Sequence, residues 1–157
     1  MKNKKNLLLL PAFLVGCLLI SSNSFSQSKE LSQDNIIWTS QSKNSSESMP
    51  CGGGDIGLNV WVEKGNLYVY MARSGSFDEN NALLKAGRLK LTFTPGIFNG
   101  NHFKQELHLE QGYVTVSGEK NGIKTTVKIW TDVFAPVIHL DISSNKKITT
   151  TASYESW

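Results

Sequence analysis

The sequence has 157 residues, with 16 Lys and Arg against 13 Asp and Glu, for a formal net charge of +3. Three of the lysines fall in the first 26 residues, which hold no acidic residue, so the remainder balances 13 basic against 13 acidic side chains. That neutrality excludes the electrostatic footprint of a nucleic-acid binder, and about 131 residues suit one domain of ordinary size.

The N-terminus has the three parts of a secretory signal in order. Lys2, Lys4 and Lys5 make a positive opening, and Leu7 to Ile20 runs without charge. Ser24-Phe25-Ser26 then offers small residues to signal peptidase, which places the cut before Gln27. A membrane-spanning helix needs roughly 20 apolar residues, and this run is shorter and broken by Pro11. Residues 1–26 are therefore predicted to be a helical signal peptide, and the chain to be exported to the periplasm or beyond the cell. A lipoprotein signal is the alternative, because Leu14-Val15-Gly16-Cys17 fits the pattern for lipid attachment. Leu18, Leu19 and Ile20 would then open the mature chain, where small and polar residues are usual. Membrane attachment is expected only if Cys17 is lipidated.

Once the signal and its Cys17 are removed, Cys51 is alone and has no internal disulfide partner. It reads as a small buried hydrophobe. A catalytic thiolate needs a base, and no spacing ties Cys51 to His102, His108 or His139.

Residues 27–48 are rich in Ser, Asn, Gln and Lys and read as a polar lead-in with one short strand at Ile36-Ile37-Trp38. Residues 49–157 read as a β-sandwich domain. Leu58 to Glu63 and Leu67 to Arg73 form a hairpin around Lys64-Gly65-Asn66. Asn80 to Ala86 is expected to form a helical turn. Arg88 to Thr94 alternates, with Leu89, Leu91 and Phe93 on one face. Phe103 to Glu110 does the same, with Phe103, Leu107 and Leu109 inward and Lys104, Glu106, His108 and Glu110 outward. Period two marks a sheet with one wet face. Tyr113 to Lys120 and Ile123 to Val133 flank Asn121-Gly122, a pair that tolerates positive φ as a type I′ turn requires. Ala135-Pro136 breaks the pattern, and Val137 to Ser143 and Ile148 to Tyr154 are two further strands. No long amphipathic helix appears, so the fold class is all-β, an antiparallel β-sandwich. The strand pattern continues to Trp157 without a closing turn, which predicts a domain truncated at its C-terminus.

Pro50-Cys51-Gly52-Gly53-Gly54-Asp55-Ile56-Gly57 contains a literal GxGxxG. Dinucleotide binding needs that loop between a strand and a helix N-terminus, whose amides hold the pyrophosphate. Here a strand follows, at Leu58 to Val62, so no cofactor is expected and the glycines read as positive-φ or close-packing positions. No metal-ligand spacing appears. Glycoside hydrolysis generally uses two carboxylates about 5 to 10 Å apart. Asp55, Asp78 and Glu79 lie in predicted loops, where functional groups concentrate. Among the aromatic residues on strands, Trp61 and Tyr70 are candidates for stacking on a sugar, set against the commoner role of core packing.

Met49 to Leu58, followed by Arg73-Ser74-Gly75-Ser76-Phe77-Asp78-Glu79-Asn80, resembles the N-terminal domain of an exported bacterial family, the domain of unknown function numbered 5703. More remotely, Pro50 to Leu58 is similar to the segment that opens the α-L-fucosidases of glycoside hydrolase family ninety-five. Phe103 to Glu110, Ile129 to Phe134 and Val137 to Ile142 follow a pattern similar to the strands of that family's N-terminal sandwich. Gly53 stands where the fucosidase motif has asparagine. The resemblance implies part of a galactose-mutarotase-like β-supersandwich, joined in full-length relatives to an (α/α)6 toroid that carries the catalytic residues. It carries no catalytic residue over to this chain.

The resulting expectation is a non-catalytic N-terminal sandwich of an exported glycoside-hydrolase-like protein, with a glycan and a C-terminal (α/α)6 domain as partners. Gly52, Gly53, Gly54 and Asp55 on one loop, and Asp78 and Glu79 on another, are expected to approach the substrate cleft. Two alternatives stay open: a stand-alone carbohydrate-binding module, and a secreted structural or interaction domain.

Overall fold

The computed structural model describes residues 31–156. The expected signal helix over 1–26, with Cys17, lies outside the described residues. In chain order the strands are β1 (Ile36–Trp38), β2 (Met49–Gly53), β3 (Ile56–Glu63), β4 (Asn66–Phe77), β5 (Leu83–Thr94), β6 (Asn101–His108), β7 (Tyr113–Lys120), β8 (Ile123–Thr131), β9 (Ile138–Ser144) and β10 (Thr149–Glu155). They build two antiparallel five-stranded sheets. The first has the order β1-β6-β7-β8-β9 and the second β10-β5-β4-β3-β2. The fold is all-β and sandwich-like, as the alternation predicts.

Each sheet buries one face. Leu58, Val60, Val62, Leu67, Val69, Leu91 and Phe93 come from the second sheet, and Leu107, Val114, Val116, Val127 and Ile129 from the first. Phe98, in the short 3-10 turn before β6, fills the gap between them. Its ring meets Phe93 edge-on at 5.0 Å and Phe103 at 6.2 Å, the geometry aromatic quadrupoles favour. Gln105 interrupts the apolar alternation of β6 and is buried. Its side-chain amide donates to the Val60 carbonyl at 3.0 Å, tying the two sheets together through the core. Such a bond contributes about 1 kcal/mol net, and its loss would strand a buried polar group.

Two hairpin turns have both central residues at positive φ, Lys64-Gly65 at 50° and 78° and Asn121-Gly122 at 54° and 72°. These are the type I′ requirements, whose backbone twist matches that of the flanking strands.

The helical turn expected at Asn80 to Ala86 does not form. β4 and β5 instead extend as a long arm, with Phe77 paired to Leu83 and Ala72 to Lys85. Asp78 makes the reversal. Its Oδ1 accepts from the backbone N–H of Asn80 at 2.9 Å and of Ala82 at 2.8 Å. An Asp that satisfies its own turn in this way favours a tight reversal over a helix, and strand pairing then continues from Leu83.

The polar segment before β2 packs closely. Ser42 is buried, its N–H donates to the Val62 carbonyl at 2.9 Å, and its hydroxyl donates to the Glu47 carbonyl at 2.9 Å. Gln41 bridges the Phe98 carbonyl and the Gly65 N–H.

Candidate functional site

The glycine-rich segment is β2, a two-residue turn and the start of β3. It is a strand–turn–strand unit and offers no helix N-terminus to a pyrophosphate. Its glycines serve close packing. A Cβ on Gly53 would stand 2.7 Å from Thr131 Oγ1 and 3.0 Å from Val133 Cγ1. Gly54 takes φ +60° and lies against the Val133 carbonyl, where a Cβ would approach to 3.0 Å. Gly52 is closed off by the Ile56 carbonyl oxygen. Gly57 differs, because nothing lies within 4 Å of where its Cβ would point.

Asp55 follows Gly54 in the turn and faces the start of the β4–β5 arm. Arg73 Nε donates to its Oδ2 at 2.7 Å, and the Ser74 N–H donates to its carbonyl at 2.8 Å. Together with Gly54, Phe77 and Leu83 these residues line an open groove of about 480 Å³. Asp78 and Glu79 do not line it; they sit at the tip of the arm. Of the three candidate carboxylates, Asp55 is held by the Arg73 guanidinium and Asp78 by the backbone of its own turn.

Exposed apolar side chains gather at the same end. Phe134 is 97% exposed, and Val133 and Val137 beside it are also exposed. Phe77 (55%), Leu83 and Leu84 project from the arm. Gly53 and Gly54 hold the Val133 loop against the turn, while the groove joins that turn to the arm.

The outer face of the second sheet carries the aromatic residues. Trp61 points away from the core yet is only 1% exposed. Its ring stacks on Tyr68 at 5.0 Å and 16°, and meets Tyr70 at 4.7 Å and 48°. The sugar-stacking expectation for Trp61 is thereby corrected, since its indole faces are taken by its neighbours. Tyr70 is half-buried and lines a second groove of about 390 Å³ with Pro50, Gly57, Asn59, Ala72 and Lys85. Lys85 lies over the Tyr70 ring at 4.4 Å, and the Arg88 guanidinium lies 5.0 Å from the Tyr68 centroid. Arg88 Nε donates to Glu155 Oε2 at 2.7 Å, which raises the Arg88 pKa.

The outer face of the first sheet holds a second set of paired rings. Trp130 and His139 stack at 3.9 Å with planes 6° apart, and Trp130 Nε1 donates to Asp141 at 3.1 Å. His108 stacks on Tyr113 at 4.3 Å, and Lys128 lies 4.2 Å from the same tyrosine centroid. These rings occupy one another's faces. Alternation within each strand places them outward, but only the register brings them together.

Cys51 donates weakly to the Gly112 carbonyl at 3.5 Å, and burial pushes its thiol pKa up. That is the setting of a packed thiol rather than an activated nucleophile. Among the described residues, no group of three or more His, Cys, Asp or Glu side chains converges as a metal site would require.

Residues 37–157 match the family model of the N-terminal part of DUF5703, a domain of unknown function. The chain belongs to this family. The match runs from the middle of β1 through β10, so the DUF5703 domain includes both sheets, the glycine-rich turn and the β4–β5 arm. No curated protein matches the chain.

Proposed function

We propose that this DUF5703 domain is a non-catalytic sandwich module of an exported, glycoside-hydrolase-like protein. In this reading the Gly54 end docks against a further domain, and the groove beside Asp55 forms one wall of a glycan-binding cleft. The observation that carries it is the exposed pair Phe77 and Leu83, which line the groove, together with Leu84 exposed on the same arm and Val133 and Phe134 exposed on the loop that packs against Gly53 and Gly54. Contiguous exposed apolar surface marks an interaction site on a folded domain. The Asp55–Arg73 pair beside it supplies charged donors and acceptors of the kind that orient sugar hydroxyls. The distant likeness of Pro50 to Leu58 to the fucosidase N-terminal sandwich supports the same arrangement.

Two measurements on the chain from Gln27 test this. It should show no turnover of α-linked fucosides or galactosides, and it should self-associate in sedimentation. Replacing Phe134 and Leu84 by Ser should make it monomeric at an unchanged melting temperature. Turnover by the purified chain, or a wild-type monomer indifferent to both substitutions, would sink the reading. The alternative of a carbohydrate-binding module is favoured by the Tyr70 groove, and predicts glycan affinity in the isolated chain.

A further inference from the structure

We infer that the outer face of the second sheet, along β4 and β5, binds an acidic glycan bearing uronate carboxylates. This rests on the carbohydrate-binding-module reading that the Tyr70 groove favours, and names its ligand class.

Three cations, Lys85, Arg88 and Lys90, line up on β5 beside Tyr68 and Tyr70 of β4. Lys85 to Lys90 covers at most about 16 Å of strand, at about 3.3 Å per residue. One carboxylate, Glu155 on β10, faces this row and pairs with Arg88. The other carboxylate on the face, Glu63, pairs with Lys64 at the far turn. The face is therefore locally positive although residues 27–157 balance 13 basic against 13 acidic side chains as a whole. A linear row of cations complements a polymer with regularly spaced anions, and Glu155 against Arg88 shows that a carboxylate fits there.

The surface between the cations and β2 is open. Gly57 has space above it, and Ala72 and Gly52 flank it in register. The result is a low floor beside the Tyr70 ring and the exposed Asn59 amide. An acidic peptide is less well matched. Along Tyr68, Tyr70, Arg88 and Lys90 the strands β4 and β5 are hydrogen-bonded on both sides, so no backbone there is free for strand addition. Recognition must run through side-chain charges, amide and ring, which are the groups a hydroxyl- and carboxylate-rich polymer engages.

The test is binding of the chain from Gln27 to polygalacturonate, to dextran sulfate and to neutral galactan. Polygalacturonate should bind best and weaken as salt rises. The double variant Lys85→Gln/Lys90→Gln should bind it at least about tenfold more weakly, as expected for loss of two charged contacts. Lys146→Gln/Lys147→Gln, on the distant β9–β10 turn, should leave binding unchanged. Equal weakening by both pairs, or none by the first, overturns the site. Preference for dextran sulfate overturns the carboxylate assignment. Binding to galactan alone overturns the acidic class and leaves the carbohydrate-binding-module reading standing; binding to none of the three overturns both of these.

Discussion

Trp61 and Tyr68 are direct cross-strand partners on β3 and β4, and their rings stack at 5.0 Å with planes 16° apart. The pair gives the outer face of the second sheet a small core of its own, separate from the one between the sheets. Replacing Trp61 by Ala should destabilise the domain by about 3–5 kcal/mol, the usual cost of removing a buried large aromatic. Phe at the same position should recover most of that. Urea unfolding gives both values. A loss below about 1 kcal/mol on the Ala change would mean that the indole is not packed in solution.

The glycine-rich turn contains two positions with opposite expectations. Gly54→Ala places a side chain at φ +60° against the Val133 carbonyl and should cost about 1–2 kcal/mol. Gly57→Ala meets open space and should change stability by less than about 0.5 kcal/mol. Thermal melting of the two variants distinguishes them. Equal effects would contradict the distinct packing assigned to the two glycines.

At the tip of the β4–β5 arm, the Asp78 carboxylate holds the amides of Asn80 and Ala82. Asp78→Ala should weaken the reversal by about 1 kcal/mol and speed amide hydrogen exchange at those two residues. Asp78→Asn keeps an acceptor oxygen and should largely preserve protection. Unchanged exchange in the Ala variant would remove the turn role.

Glu106 has a pH-dependent role. Its side chain is 14% exposed and accepts from Lys104 at 2.6 Å. That hydrogen bond, then the Asn35 amide and the charge of His108, pull its pKa below the ordinary 4.5 against the opposing effect of desolvation. A depressed folded-state value means the contribution is present above the unfolded value and lost as pH falls through the folded one. Glu106→Gln should therefore cost about 0.5–1 kcal/mol at pH 7, in the range for a partly exposed ion pair. The gap from wild type should narrow below pH 4.5, as followed by urea unfolding across pH. A gap that widens on acidification would reverse the assignment.

The strands were legible wherever one face is wet. β7 and β8 follow from alternation, and the turn between them from Asn121-Gly122, because period and positive φ are local properties of the chain. The Asn80 to Ala86 segment was misread because its conformation depends on pairing with Ala72 to Phe77 across the Asp78 turn. Gln105 was missed as a core residue because its partner, the Val60 carbonyl, lies in the other sheet. Asp55 and Asp78 both stood out as loop acids, yet only Asp55 lines the groove.

The sequence by itself determined the strand class, most of the turns and the family, because alternation, turn chemistry and the Met49 to Leu58 motif are written along the chain. Only the tertiary structure decided that Trp61 is covered, that Asp55 meets Arg73, and that Lys85, Arg88 and Lys90 flank Tyr68 and Tyr70. Those neighbours depend on cross-strand register. Register is set by which faces the two sheets bury together, and spacing within one strand does not contain it.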